Sequence, residues 1–169
     1  MPIILNESGF EHKKISIDDL PLKDYEGISG IIISGSSILL TDTPSYFPRF
    51  DFIDKIKIPI FGICFGHQII GLAFGSEVSK GNLIKGEQKM QIIKENQLFK
   101  GIETNSNFDE NHKEYINLPK DFELLAKSDS CDVEAMKHKE KNIYGVQFHL
   151  ETSGENGKKM LINFCNLCI

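Results

Sequence analysis

The sequence predicts an α/β protein with one open sheet covered by helices on both faces. Three observations carry this. Short apolar, β-branched runs recur between polar stretches along the whole chain. Some of them, Ile31-Ile32-Ile33 and Ile143–Phe148 above all, do not alternate with polar residues, as strands buried on both sides do not. Segments with apolar residues at helical spacing lie between these runs and at the end of the chain.

In chain order, strands are expected at Pro2–Leu5, with a candidate at Lys13–Ile17, then at Ile28–Ser34, Ile58–Ile63, Gln88–Ile93, Phe122–Lys127, Val133–Met136 and Ile143–Phe148. A helix is expected over Ser45–Ile56, where Phe47, Phe50, Ile53 and Ile56 share one face. A short apolar helix follows at Gly66–Phe74. A third covers Gly154–Leu167, with Met160, Leu161, Phe164 and Leu167 on one side. Between Glu77 and Lys94 strand-like segments follow one another without helices and read as antiparallel hairpins added to the core. Only Asn6 to His12 separates the first two expected strands, whereas a parallel crossover needs about 10–12 residues. The N-terminal βαβ unit is therefore expected to be shortened.

The chain has 169 residues, the size of one domain spanning 1–169. With 40% hydrophobic and 25% charged residues it should fold as a soluble globule. A net charge of -5 and the lack of a basic run disfavour nucleic acid or an anionic membrane as partner. No apolar run approaches the roughly 18 residues of a membrane span, and no apolar signal segment opens the chain. A cytoplasmic location is expected, with Cys64, Cys131, Cys165 and Cys168 as reduced thiols. Cys165 and Cys168 end a helix and are expected to pack there. No second such pair completes a zinc site, and no metal is expected.

Gly62-Ile63-Cys64-Phe65-Gly66 follows an apolar strand and precedes a helix. This is the nucleophile elbow with cysteine at its centre. The nucleophile sits on a strained turn, where side chains at the flanking positions would collide, hence the two glycines. The helix N-terminus favours thiolate over thiol. The Phe65 N–H is placed to donate to an oxyanion. His149 is the best base: it ends a strand, and Glu151 lies two residues on, where an extended chain points to the same side. His12, His112 and His138 lie in charged surroundings and are expected to be solvated, whereas His67 is expected to pack.

Read together, Gly62–Gln68 and Gly145–Glu151 resemble the class I glutamine amidotransferase family, and the resemblance covers nearly the whole chain. It implies the family's flavodoxin-like fold: an open, mostly parallel sheet, helices on both faces and added antiparallel strands. Ile31–Ser37 is similar to the family's glycine-rich oxyanion loop. The stretches Cys131–His138 and Asp109-Glu110 are most similar to the glutaminase subunit of archaeal-type GMP synthase. By this resemblance Cys64, His149 and Glu151 are catalytic. Gly35, Ser36 and Phe65 would hold the oxyanion, and Gln68, Ser106, Asn107 and Phe108 the substrate L-glutamine. The ammonia would pass to a separate ATP-dependent synthetase, with XMP as that partner's substrate. No cofactor is expected in this chain; ATP and magnesium would belong to the partner.

Three positions depart from the family pattern. Ser36 stands for a glycine, at about 1 kcal/mol of strain if its φ is positive. Leu150 stands for a proline that would fix the backbone between His149 and Glu151. Asn107 stands for a histidine. Two other readings remain open on the sequence: a γ-glutamyl hydrolase of the same fold, and a degenerate amidotransferase acting as a binding or regulatory module.

Overall fold

The structure, a computed structural model, describes residues 1–22 and 24–169. Its strands are β1 (Ile31–Ile33), β2 (Ile60–Ile63), β3 (Val78–Ile92), β4 (Ser106–Ile116), β5 (Phe122–Lys127), β6 (Ala135–His138) and β7 (Ile143–Val146). They form one sheet in the order β1-β2-β7-β6-β5-β3-β4. Helices are α1 (Pro2–Glu7), α2 (Phe65–Ala73) and α3 (Gly154–Asn166).

The expected α/β architecture is present, and the expectation of mostly parallel pairing is corrected. Only β1–β2 and β2–β7 are parallel, while the pairs from β7 outward to β4 are antiparallel. Connection length explains this. Residues 128–134 and 139–142 join β5 to β6 and β6 to β7, too few for a parallel crossover of a dozen or more residues.

Helices cover both faces. On one, α1 and α3 pack Leu5, Leu161 and Phe164 against Phe61 and Ile63 of β2. On the other, α2 packs Ile69 and Ile70 with Ile33, Phe50, Ile53 and Ile60. The parallel strands thus carry apolar side chains on both faces, which is why they lack alternation.

Three expected elements change character. Pro2–Leu5 is helix α1, not a strand: proline opens it, and Leu5 seats on the α3 side of the core. Lys13–Ile17 forms no strand, and Ser16 caps a single 3-10 turn over Ile17–Asp19. Hence no strand precedes Ile31 among the described residues. The helix expected over Ser45–Ile56 is a 3-10 helix, Pro44–Phe50, because Pro48 cannot continue an α-helical ladder. Phe50 and Ile53 still reach the core.

Glu77–Lys94 is not a set of hairpins. It is mostly one long strand, β3, paired along its length with β4. Strand β4 has no counterpart among the expected elements. Its inward residues are Phe108, Glu110, His112, Glu114 and Ile116. Three polar residues on the buried side erase the apolar alternation that marks a strand.

Candidate active site

The elbow forms as the sequence requires. Cys64 has φ 50° and ψ −103°, a conformation costly for a non-glycine residue, and it leads directly into α2. Its N–H is fixed to the Val146 carbonyl at 2.8 Å. A Cβ on Gly62 would strike the Gly66 carbonyl, and one on Gly66 would strike that of Ile33. Both glycines are needed for space. Phe65 opens α2, so its N–H has no acceptor within the helix.

Residues 147–151 run past the elbow with alternating faces. Phe148 and Leu150 are buried in the core. Gln147, His149 and Glu151 form the other row. The Gln147 Nε2 donates to Cys64 Sγ at 3.6 Å. His149 Nδ1 and Glu151 Oε1 are 2.9 Å apart. His149 Nε2 is buried and lacks a partner of ordinary hydrogen-bond geometry, as is common before substrate arrives. The neighbouring Cys64 sulfur, then Glu151, push the imidazole pKa up to about 10 against the opposing effect of burial. Burial raises the Glu151 carboxyl, but its bond to His149 outweighs this and holds it below the usual range. The resting arrangement is therefore an imidazolium facing sulfur, braced by a carboxylate.

The His149 backbone is clamped from β4. Its N–H donates to the Asp109 carbonyl at 2.8 Å, while Ser153 Oγ donates to the His149 carbonyl and accepts from the Asp109 N–H. Leu150 does by packing what the expected proline would do by ring closure. It is 1% exposed, and a Cβ on Gly157 would overlap its carbonyl.

Gly35 sits against the imidazole: a Cβ there would lie 2.9 Å from His149 Cε1. Ser36 does not take the positive φ that would have strained it: Cys64 and Asn105 are the non-glycine residues with positive φ among the described residues. Ser36 instead accepts from the Ile38 N–H at 3.1 Å. Glu114 of β4 anchors the same loop further on, accepting from the N–H groups of Leu40 and Thr41, both at 2.8 Å.

The expected substrate residues are placed less uniformly. Ser106, Asn107 and Phe108 open β4. Phe108 is fully buried against Phe148, so its side chain is a core group. Asn107 is exposed, with its amide on Glu87. Gln68 points its amide nitrogen inward, to the Glu114 carbonyl at 2.9 Å and Gln147 Oε1 at 3.2 Å.

Two histidines expected to be solvated are buried. His112 bonds Glu110 through Nε2 and the Glu114 carbonyl through Nδ1. His138 accepts from the N–H groups of Glu140 and Lys141, capping the turn into β7. His67 packs, with burial pushing its pKa down to about 3. Cys165 and Cys168 pack at the end of α3, with Cys168 against Gly30. Sequence reasoning missed Gln147, Glu114 and Ser153. For Gln147 a signal existed: the period of two that links His149 to Glu151 extends one step back. Among the described residues no cluster of His, Cys, Asp or Glu is arranged to hold a metal ion, and no helix is long and apolar enough to cross a membrane.

A groove of about 900 Å³ lies between Ile92 and Thr104 and is not lined by Cys64. It is an open groove with no cysteine or histidine in its lining, so the chemistry points to the elbow. The family model described as glutamine amidotransferase class-I matches residues 5–167. The chain belongs to the class I glutamine amidotransferase family. Similar amidotransferase chains include the A subunit of a glutamine-hydrolyzing GMP synthase from Methanocaldococcus jannaschii. It is 42% identical over 92% of this chain and 84% of that one. The corresponding A chain from Methanococcus aeolicus is 40% identical over 99% and 97%. A crystal structure of a protein from Thermoplasma acidophilum, described as a GMP synthase A subunit, superposes with a TM-score of 0.91. It is 32% identical and covers 98% of this chain and 85% of that one. This amidotransferase fold thus extends over the elbow, the 147–151 row and the β4 clamp together.

Proposed function

We propose that this chain is the glutaminase subunit of a two-part GMP synthase: it hydrolyses L-glutamine and delivers ammonia to a separate synthetase. The observation that carries this is the Cys64 sulfur on a strained elbow, facing an imidazolium that Glu151 braces. The similarity to GMP synthase A subunits over most of the chain supports the subtype.

Cys64 Sγ attacks the δ-carbonyl of glutamine. The Phe65 N–H and a backbone N–H of the Gly35-Ser36 loop receive the oxyanion. His149 gives its proton to the departing ammonia as the C–N bond breaks, leaving a thioester. It then takes a proton from water, which attacks the thioester and releases glutamate and the thiolate. A protonated His149 at rest suits the first step. ATP and magnesium act in the partner, which uses the ammonia to convert XMP to GMP.

Glutaminase rates should be measured with the chain alone and with its cognate synthetase, ATP and XMP. Low activity alone and a large rise in the complex are expected. Cys64→Ala should abolish hydrolysis while preserving the fold. Undiminished hydrolysis by Cys64→Ala would overturn the mechanism, and amination of a different acceptor would overturn the subtype.

A further inference from the structure

The row of Gln147, His149 and Glu151 presents three polar side chains toward the elbow, and the mechanism above uses two. Gln147 is fully buried just after β7. A buried amide is costly unless it is hydrogen-bonded, and an apolar side chain of similar volume would fill the space without that cost. Its role is therefore to be sought in what it bonds.

The direction of the amide follows from its neighbours. The Glu114 carbonyl can only accept, so the Gln68 group 2.9 Å from it must be the NH2. That nitrogen lies 3.2 Å from one Gln147 amide atom, which must then be the oxygen. The other end of Gln147 is thus an N–H group, and it meets Cys64 Sγ at 3.6 Å. The backbone is pinned too, with the Gln147 N–H on the Glu134 carbonyl at 2.8 Å. His112 Nδ1, 3.0 Å from the same Glu114 carbonyl, must likewise donate, so the accepting end of the chain is held from both sides.

We infer that Gln147 is a catalytic residue: its side-chain N–H holds the charged Cys64 sulfur and fixes its direction of attack. This rests on the reading of Cys64 as nucleophile. A neutral amide suits the task. It stabilises negative sulfur without competing for the proton that His149 must carry. The bond is strongest when sulfur is charged, as when the thioester C–S bond breaks and its electron pair returns to sulfur. It weakens while sulfur is acylated. Gln147 therefore favours both formation of the nucleophile and release of the acyl group.

The test compares wild type, Gln147→Leu and Gln147→Glu, with Cys64→Ala as blank. Iodoacetamide alkylation of Cys64 is followed against pH without substrate, and glutaminase kinetics are measured in the synthetase complex. Gln147→Leu should slow alkylation at neutral pH on the order of tenfold, within what a hydrogen bond to a charged group contributes. The profile should move to higher pH, and kcat should fall with KM unchanged. Gln147→Glu keeps an acceptor for Gln68 but turns a carboxylate toward sulfur, so it should shift the profile further in the same direction. It carries the same readout if the leucine variant does not fold. A purely structural role would lower thermal stability and leave the alkylation profile in place, and that result would overturn the inference. An unlabelled Cys64 in active wild type would instead sink the nucleophile assignment beneath it.

Discussion

Gly35 and His149 are in contact to the point that one methyl group cannot be added between them: a Cβ on Gly35 would lie 2.9 Å from Cε1 and 3.4 Å from Nδ1 of the imidazole. The loop proposed to carry the oxyanion donor is thus also a wall that sets the ring's position. Gly35→Ala should push the imidazole off its line between Cys64 and Glu151. Displacements of about 1 Å at reacting groups cost on the order of 10²-fold in rate, and a loss of kcat of that size is expected. The glycine has no positive φ, so the effect is one of space, and thermal stability should change little. Steady-state kinetics beside a melting curve checks this. A normal kcat would show that the ring tolerates the shift.

Glu151→Gln removes the charge that braces the imidazolium and should lower kcat by at least about tenfold, since the orienting carboxylate also stabilises the charge on the ring. The stability consequence has a defined pH window. His149 is raised from 6.5 to about 10, so its contribution is complete below 6.5 and is lost as pH rises through about 10. Glu151 is lowered from 4.5, so its contribution is complete above 4.5 and lost below it. Urea midpoints of wild type and Glu151→Gln should differ most between about pH 4.5 and 6.5 and converge in strongly alkaline solution. A gap that persists unchanged far into the alkaline range would show that the pair is not ionic.

The strands β2 and β7 were legible because they are buried on both faces, and β1, half-buried at the sheet edge, because it too reads as an unbroken apolar run. The elbow was legible because two glycines are sterically required beside Cys64. Strand β4 was not, because its inward positions hold Glu110, His112 and Glu114, which a hydrophobicity pattern scores as outward. The same residues explain the misplacement of His112. Nothing in a linear sequence shows that Glu114 meets Leu40 and Thr41 across 73–74 residues. Pro2–Leu5 failed for a different reason. Its β-branched run fits a strand, but a strand needs a partner edge, while a short helix needs only the apolar surface of α3.

Leu150 tests how the His149–Glu151 spacing is held where the family usually has proline. The side chain is 1% exposed within the α1–α3 core. Leu150→Ala should cost about 2–5 kcal/mol by loss of burial and creation of a cavity. Because Leu150 lies between the base and its orienter, kcat should fall as well, even at temperatures where the variant is fully folded. Chemical denaturation and kinetics on the same preparation separate the two effects. Lost stability with full kcat would mean that the clamp from Asp109 and Ser153 alone positions His149.

Glu134 makes a last prediction, from a carboxyl group that the reaction does not use. It is fully buried before β6, with Ser128 Oγ donating to one oxygen. Glu134 Oε2 and Glu110 Oε1 are buried without a hydrogen-bond partner. Burial, then the neighbouring Glu110 carboxyl group, push the Glu134 pKa well above the carboxylate range. The folded chain therefore keeps a proton that the unfolded chain releases above about 4.5, so stability should fall as pH rises past that value. Glu134→Gln supplies a permanent donor to Glu110. It should leave stability at neutral pH within about 1 kcal/mol of wild type and flatten that decline, whereas Glu134→Ala leaves buried partners unpaired and should cost at least about 2 kcal/mol. Denaturation midpoints of the three proteins, followed from mildly acidic to mildly alkaline pH, check this. A strongly destabilised glutamine variant would show that Glu134 is ionised in the folded state.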